Sequence, residues 1–208
     1  MAALPHLKET ASQTAGPYLH IGMAPAVAGL AVRSQEKLNV LAGAGSEGER
    51  IRIEGRVIDG SGAPLRDAQV EIWQANAHGR YNHPADTRDR PLDQGFRGWG
   101  RAVTDFETGL FWFETIKPGR VPGRHGHKEM APHLSLWIVA RGINIGLSTR
   151  MYFGDESSAN AEDPVLRLIE PAERRRTLIA AREERADGVV YRFDIRLQGE
   201  DETVFFDV

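Results

Sequence analysis

His133, Ser135 and Arg141 are the residues of this chain whose types and spacing come nearest to a chemical site. They lie in APHLSLWIVARGINIGLSTR, residues 131–150, a stretch that predicts a buried strand with a histidine at its start and an arginine at its end. Side chains alternate across a strand, so His133 and Ser135 share a face. Two imidazoles at that spacing would make a metal-grade pair. A histidine beside a serine does not, and His133 alone reads as a hydrogen-bonded structural residue. Arg141 carries a planar, permanently charged guanidinium that suits a carboxylate, either a structural one within the chain or one on a ligand. His125 and His127 form a second His-x-His pair, and with His133 they would offer three imidazoles to a divalent cation.

The elements that must position these groups read mostly as strands. Ile51, Ile53 and Val57 follow period two, then DGSGAPL makes a Gly- and Pro-rich turn into AQVEIWQAN. Further strands are expected at 98–105, 110–116, 133–142, 148–153, 189–197 and 203–208. Short strands with turn signals between them predict an all-β chain, an antiparallel β-sandwich. Helical material is expected only between residues 161 and 185, as one or two short helices, from Pro164, Pro171 and the helix formers of ERRRTLIAAREE. Residues 1–50 lack either period and carry Gly16, Pro17, Gly22 and Pro25, which predicts an irregular N-terminal arm ahead of one domain over 51–208. Within the arm, Thr14 could donate a hydrogen bond, and Gly16 with Pro17 would let the backbone approach a ligand closely.

Composition narrows the function classes. The 208 residues are 41% hydrophobic and 26% charged, with a formal net charge of −3 and no clustered basic stretch, which gives no electrostatic basis for binding nucleic acid. Cysteine is absent, so thiol catalysis and disulfides are excluded. The opening MAALPHLKETASQ has no basic start leading into an apolar run, and no stretch approaches the ~18 apolar residues of a membrane span; a cytoplasmic protein is expected. GSGAP at 60–64 is a hairpin turn rather than a strand-to-helix phosphate loop, and no G-x-S-x-G elbow is present.

The run IEGRVIDGSGAPLRDAQVEIWQANAHGRY, residues 53–81, resembles the signature of the intradiol ring-cleavage dioxygenases. Its spaced elements are Ile53, Gly55, Val57, Gly62, Leu65, Val70, Glu71, Ile72, Gly79 and Tyr81. PLDQGFRGWGRAVTD, TIKPGRVPG, MAPHLSLWI, the tail YRFDIRLQGEDETVFFD and TAGPY in the arm extend the likeness over almost the whole chain. In the two-chain members of that family, the resemblance implies, a beta chain holds a ferric ion, Fe(3+), with two tyrosines and two histidines. Anionic phenolates suit a hard ferric ion, and imidazoles complete its shell.

Three of those four positions fail here. Val121 stands where the KPG-x-Y tyrosine belongs, the place of the other tyrosine is near Arg88, and Ser135 replaces the second histidine while His133 is kept. The likeness is therefore to the iron-free alpha type of chain, with Fe(3+) ligated by the beta partner and no metal ligand here. The resemblance implies a higher αβ oligomer that cleaves 3,4-dihydroxybenzoate with O2, in aromatic catabolism through the β-ketoadipate route. It also implies that the arm stretch reaches the active site across the chain boundary, which makes Thr14, Gly16 and Pro17 expected substrate contacts; if this chain lines that pocket, Arg141 is the residue whose guanidinium suits the substrate carboxylate. Two other readings stay open: a non-catalytic β-sandwich binding module, and a divalent-metal enzyme using His125, His127 and His133.

Overall fold

A computed structural model describes residues 13–25, 27–31, 36–123, 128–144 and 146–207. The alternating residues of the first strand, β1 (Arg50–Ile58), organise it. Ile51, Ile53 and Val57 point into the core while Arg50, Arg52 and Arg56 face outward. Gly55 in its middle has a steric reason: a Cβ there would fall 1.8 Å from the Phe193 carbonyl oxygen.

The strands that follow are β2 (Gln69–Trp73), β3 (Trp99–Val103), β4 (Leu110–Ile116), the short β5 (Val121–Pro122) and β6 (Glu129–Met130), and β7 (His133–Val139). After them come β8 (Leu147–Phe153), β9 (Ile179–Arg185), β10 (Gly188–Arg192) and β11 (Ile195–Arg196). Nine of them form one sheet in the order β11-β1-β10-β9-β8-β7-β2-β3, with β4 on β1; β5 and β6 pair separately. The fold is all-β, as expected, but the sheet is mixed. β1 runs parallel to β10 and β11, and β8 parallel to β9, while the other pairings are antiparallel.

The sheet curls around a core built from Ile53, Val70, Ile72, Phe111, Phe113, Leu134, Leu136, Ile138, Met151, Phe153 and Tyr191. Its two ends are joined by the arm. The carbonyls of Leu38 and Leu41 accept from the amides of Arg101 and Arg97, while Leu41 N–H donates to Glu114 O and Glu114 N–H to Asn39 O. Residues 38–41 thus strap β3 to β4, and Leu41, 2% exposed, packs in the core.

Four expectations are corrected. A helix, α1 (Leu19–Met23), lies in the arm. The helices after β8 are α2 (Ser157–Glu162), a 3-10 turn at Leu166–Leu168 and α3 (Ala172–Arg176), the last starting just after Pro171. The helix formers at 179–185 instead make β9, because pairing with both β8 and β10 outweighs local propensity. The tail at 203–207 forms no continuous strand: it bridges Ser148 at Phe206, exchanges hydrogen bonds with Arg196 through Thr203, accepts from Thr149 Oγ1 at Val204 O, and packs Val204 and Phe206 against Tyr152 and Leu178.

Candidate functional site

β7 carries His133 at its start and leads, two residues past its end, to Arg141, a path of about 26 Å if fully extended. The two groups belong to different neighbourhoods.

At the first end, His133 is 5% exposed, its Nδ1 donates to the Ala131 carbonyl at 2.7 Å, and its ring lies 5.6 Å from that of Tyr152. Burial, then the nearby Arg150 charge, pushes its pKa down to about 4, so it is a neutral imidazole at physiological pH. Ser135 pairs in register with Trp73 on β2 and Arg150 on β8. Asp163, fully buried, accepts from the Ala131 amide at 2.8 Å, from the Val165 and Leu166 amides at 2.8 and 2.9 Å, and from the Tyr152 hydroxyl at 3.2 Å. It ties the residue two before His133 to Tyr152 on β8, and nothing in the local pattern of EDP marked it.

Beside this cluster lies a cavity of about 420 Å3 lined by Trp73, Tyr81, His83, Asp86, Arg88 and Val121, among others. Arg88 and Val121, the two positions where the resemblance looked for tyrosine, come together here. Gly79, at φ 73°, sets the turn that brings Tyr81 round, where a Cβ would meet Arg120 O at 2.0 Å. The Tyr81 ring stacks on Trp73 with centroids 5.7 Å apart and planes 1° from parallel. Burial raises the Tyr81 phenol above its ordinary range, against the pull of the Arg150 and Arg88 charges. Arg88 grips Asp86 through Nε at 2.7 Å and through Nη2, and this pairing holds the Asp86 carboxyl far below the usual carboxylate range.

This donor set does not fit a ferric ion. Val121 has no donor atom, Arg88 is a cation tied to Asp86, and Ser135 is a neutral hydroxyl. Arg150, with Nη1 3.3 Å from both Met130 Sδ and the Tyr152 hydroxyl, already supplies positive charge to the neighbourhood. His125 and His127 lie outside the described residues, so the three-histidine site has only His133 in view.

At the other end, the arm meets the turn after β7. Ala15 forms a parallel bridge with Arg141, and Thr14 Oγ1 accepts from the Gly142 amide at 2.7 Å. Gly16 and Pro17 follow on the exposed surface, where Leu19 N–H donates back to Gly16 O at 3.1 Å and turns the chain into α1. A Cβ on Gly16 would meet nothing within 4 Å, so no contact within the chain requires glycine there. Arg141 is 55% exposed and pairs through Nε with Asp67 Oδ2. The structure thus brings Thr14, Gly16 and Arg141 to one surface, with Pro17 adjoining, and adds Asp67, which the sequence reading passed over.

The fold and its depleted cavity are those of a ring-cleavage dioxygenase scaffold. Residues 23–199 match the family described as Dioxygenase, and the chain belongs to that family. It is 50% identical over 201 residues to the protocatechuate 3,4-dioxygenase alpha chain of Pseudomonas putida, covering 97% of each chain. It is also 42% identical over 162 residues to the protocatechuate 3,4-dioxygenase beta chain of Burkholderia cepacia, covering 75% of this chain and 67% of that one. Among solved structures, the dioxygenase domain of a carbohydrate-binding fusion from Streptomyces sp. SirexAA-E shares the fold with a TM-score of 0.54 at 22% identity, over 80% of this chain and 88% of that one.

Proposed function

We propose that this chain is the iron-free alpha subunit of a protocatechuate 3,4-dioxygenase. With a beta subunit it would cleave 3,4-dihydroxybenzoate with O2 to 3-carboxy-cis,cis-muconate. The observation that carries the reading is the 50% identity to an alpha chain along 97% of both chains. The ferric ion of the beta subunit supplies the dioxygen chemistry, in keeping with the unsuitable donor set around Arg88, Val121 and Ser135 here. The chain's own part is to bind and orient. Arg141 would hold the substrate carboxylate, and residues 14–17, tethered to the same turn, would close over it from the arm.

The partner is a beta chain, in a higher αβ assembly, and residues 1–50 serve as the arm that meets it. Supporting this are the exposed apolar side chains of the arm, Tyr18 at 75%, Val27 at 48% and Leu30 at 46%, and Phe106 beside His20. No described helix is long and apolar enough to cross a membrane; a cytoplasmic location is part of the same proposal. The test is iron content and 3,4-dihydroxybenzoate turnover of the chain expressed alone and with a beta chain. Iron and turnover only on co-expression support the reading, whereas stoichiometric iron or turnover in the lone chain would overturn it.

A further inference from the structure

We infer that Asp67 is a positioning residue that aims Arg141 at the carboxylate of the aromatic substrate; the inference rests on the role of Arg141 proposed above. The strand register puts the two face to face. Gln69 pairs with Val139 where β2 begins and β7 ends, and two residues before the one and two after the other, beyond the paired strands, the Asp67 carboxylate meets the Arg141 guanidinium.

The backbone beneath Asp67 is pinned. Ala68 N–H donates to Thr104 Oγ1 at 2.9 Å, Thr104 N–H donates to Ala68 O at 2.8 Å, and both residues are fully buried. The Asp67 side chain is 12% exposed, while that of Arg141 is 55% exposed. A fixed, sheltered carboxylate therefore holds a guanidinium that reaches into solvent.

Asp67 Oδ2 lies against Arg141 Nε as an ion pair, and Nη1 and Nη2 make no hydrogen bond to a described residue. Those two nitrogens are the edge that a guanidinium offers to a carboxylate in a bidentate grip. On the backbone side, Ala15 and Thr14 hold Arg141 and Gly142 from the arm. Arg141 is thus fixed at its main chain by residues 14–15 and at Nε by Asp67, while more than half of its side chain stays exposed. An arginine free at Nε would have to give up side-chain freedom on binding; one held at Nε has lost part of it already.

Asp67 also places a negative charge near an anionic substrate, so the two roles predict opposite signs. Orientation makes Asp67→Ala weaken binding, and charge damping makes it strengthen binding. Asp67→Asn keeps an acceptor for Nε and removes the charge. The experiment uses the assembled αβ complex, with steady-state kinetics on 3,4-dihydroxybenzoate and anaerobic calorimetry with that acid and with its carboxylate-free analogue 3,4-dihydroxybenzamide.

The expected result for Asp67→Ala is a rise of about five- to twenty-fold in KM and in the acid's Kd, with kcat and the amide's Kd within about twofold. Asp67→Asn should stay within about twofold of the parent in every reading, and Asp67→Ala should add nothing once Arg141 is alanine. An unchanged or lowered Kd for the acid in Asp67→Ala, beside a raised one in Arg141→Ala, would overturn this inference alone. An equal loss for acid and amide, or failed assembly of Asp67→Ala, would mark general damage and overturn it too. No effect of Arg141→Ala would overturn both the inference and the role of Arg141 on which it rests.

Discussion

The two ends of β7 were given opposite treatments by the same fold. Around His133 the polar groups are sealed in: the imidazole is buried and neutral, the Asp163 carboxylate is fully used, and Arg88 is locked onto Asp86. Around Arg141 the backbone is fixed while the charged end stays in solvent. A sealed network contributes stability and no reactivity, whereas a tethered but open cation is what a second chain or a ligand can use. The family likeness draws the eye to the first end, where the motif residues are, and the geometry favours the second.

Changes at the sealed end should act on stability, and the largest effect is expected at Asp163. Asp163→Ala would leave three amides and the Tyr152 hydroxyl without their acceptor, and it should lower the unfolding free energy by about 3 kcal/mol or more. Denaturant titration of the chain measures this; a loss below about 1 kcal/mol would break the contrast between the two ends.

The next effect is a pH dependence centred on His133. Its folded pKa of about 4 lies below the 6.5 of an unperturbed histidine, so the unfolded chain takes up the proton first as pH falls. Stability from this group is therefore full above pH 6.5, declines between about 6.5 and 4, and levels off below. The total is about 3 kcal/mol at 1.36 kcal/mol per pH unit. Unfolding curves across that window for the parent and His133→Gln should differ in slope, the variant being flatter; parallel curves would contradict the buried, neutral histidine.

The contrast between sequence and structure follows the same physics. The strand Leu110–Ile116 was legible because buried and more exposed positions alternate along most of it, and residues 148–153 because an apolar run ends them, buried on both faces. So was the failure at Val121, Arg88 and Ser135, since a missing donor needs no coordinates to notice. β9 was misread because Ala, Arg and Glu favour helix, although the Asp187-Gly188 pair that ends it, with Gly188 at φ 133°, was a hairpin signal in plain sight. The tail 203–207 has strand-like residues yet meets β8 and β11 only at single positions, Ser148 and Arg196, as only the assembled sheet decides. Asp67 and Asp163 escaped because each acts on residues far along the chain, Arg141 and Ala131, with no local spacing to betray them.

The smallest effect concerns the tether at the open end. Thr14→Val removes the acceptor for the Gly142 amide and should weaken docking of the arm by about 1 kcal/mol. Limited proteolysis of the chain reads this as faster cleavage before residue 19 without change in the rest of the digest; unchanged cleavage would mean that the arm is held elsewhere.

On the proposed function, the working end of this chain is the Arg141 end. Steady-state kinetics of the αβ complex with 3,4-dihydroxybenzoate tests it when Arg141→Ala and His133→Gln are measured side by side. Arg141→Ala should raise KM by about ten- to a hundredfold, equivalent to about 1.5 to 3 kcal/mol, with His133→Gln within about twofold of the parent. The reverse pattern, with Arg141→Ala silent and His133→Gln impaired in KM, would contradict it.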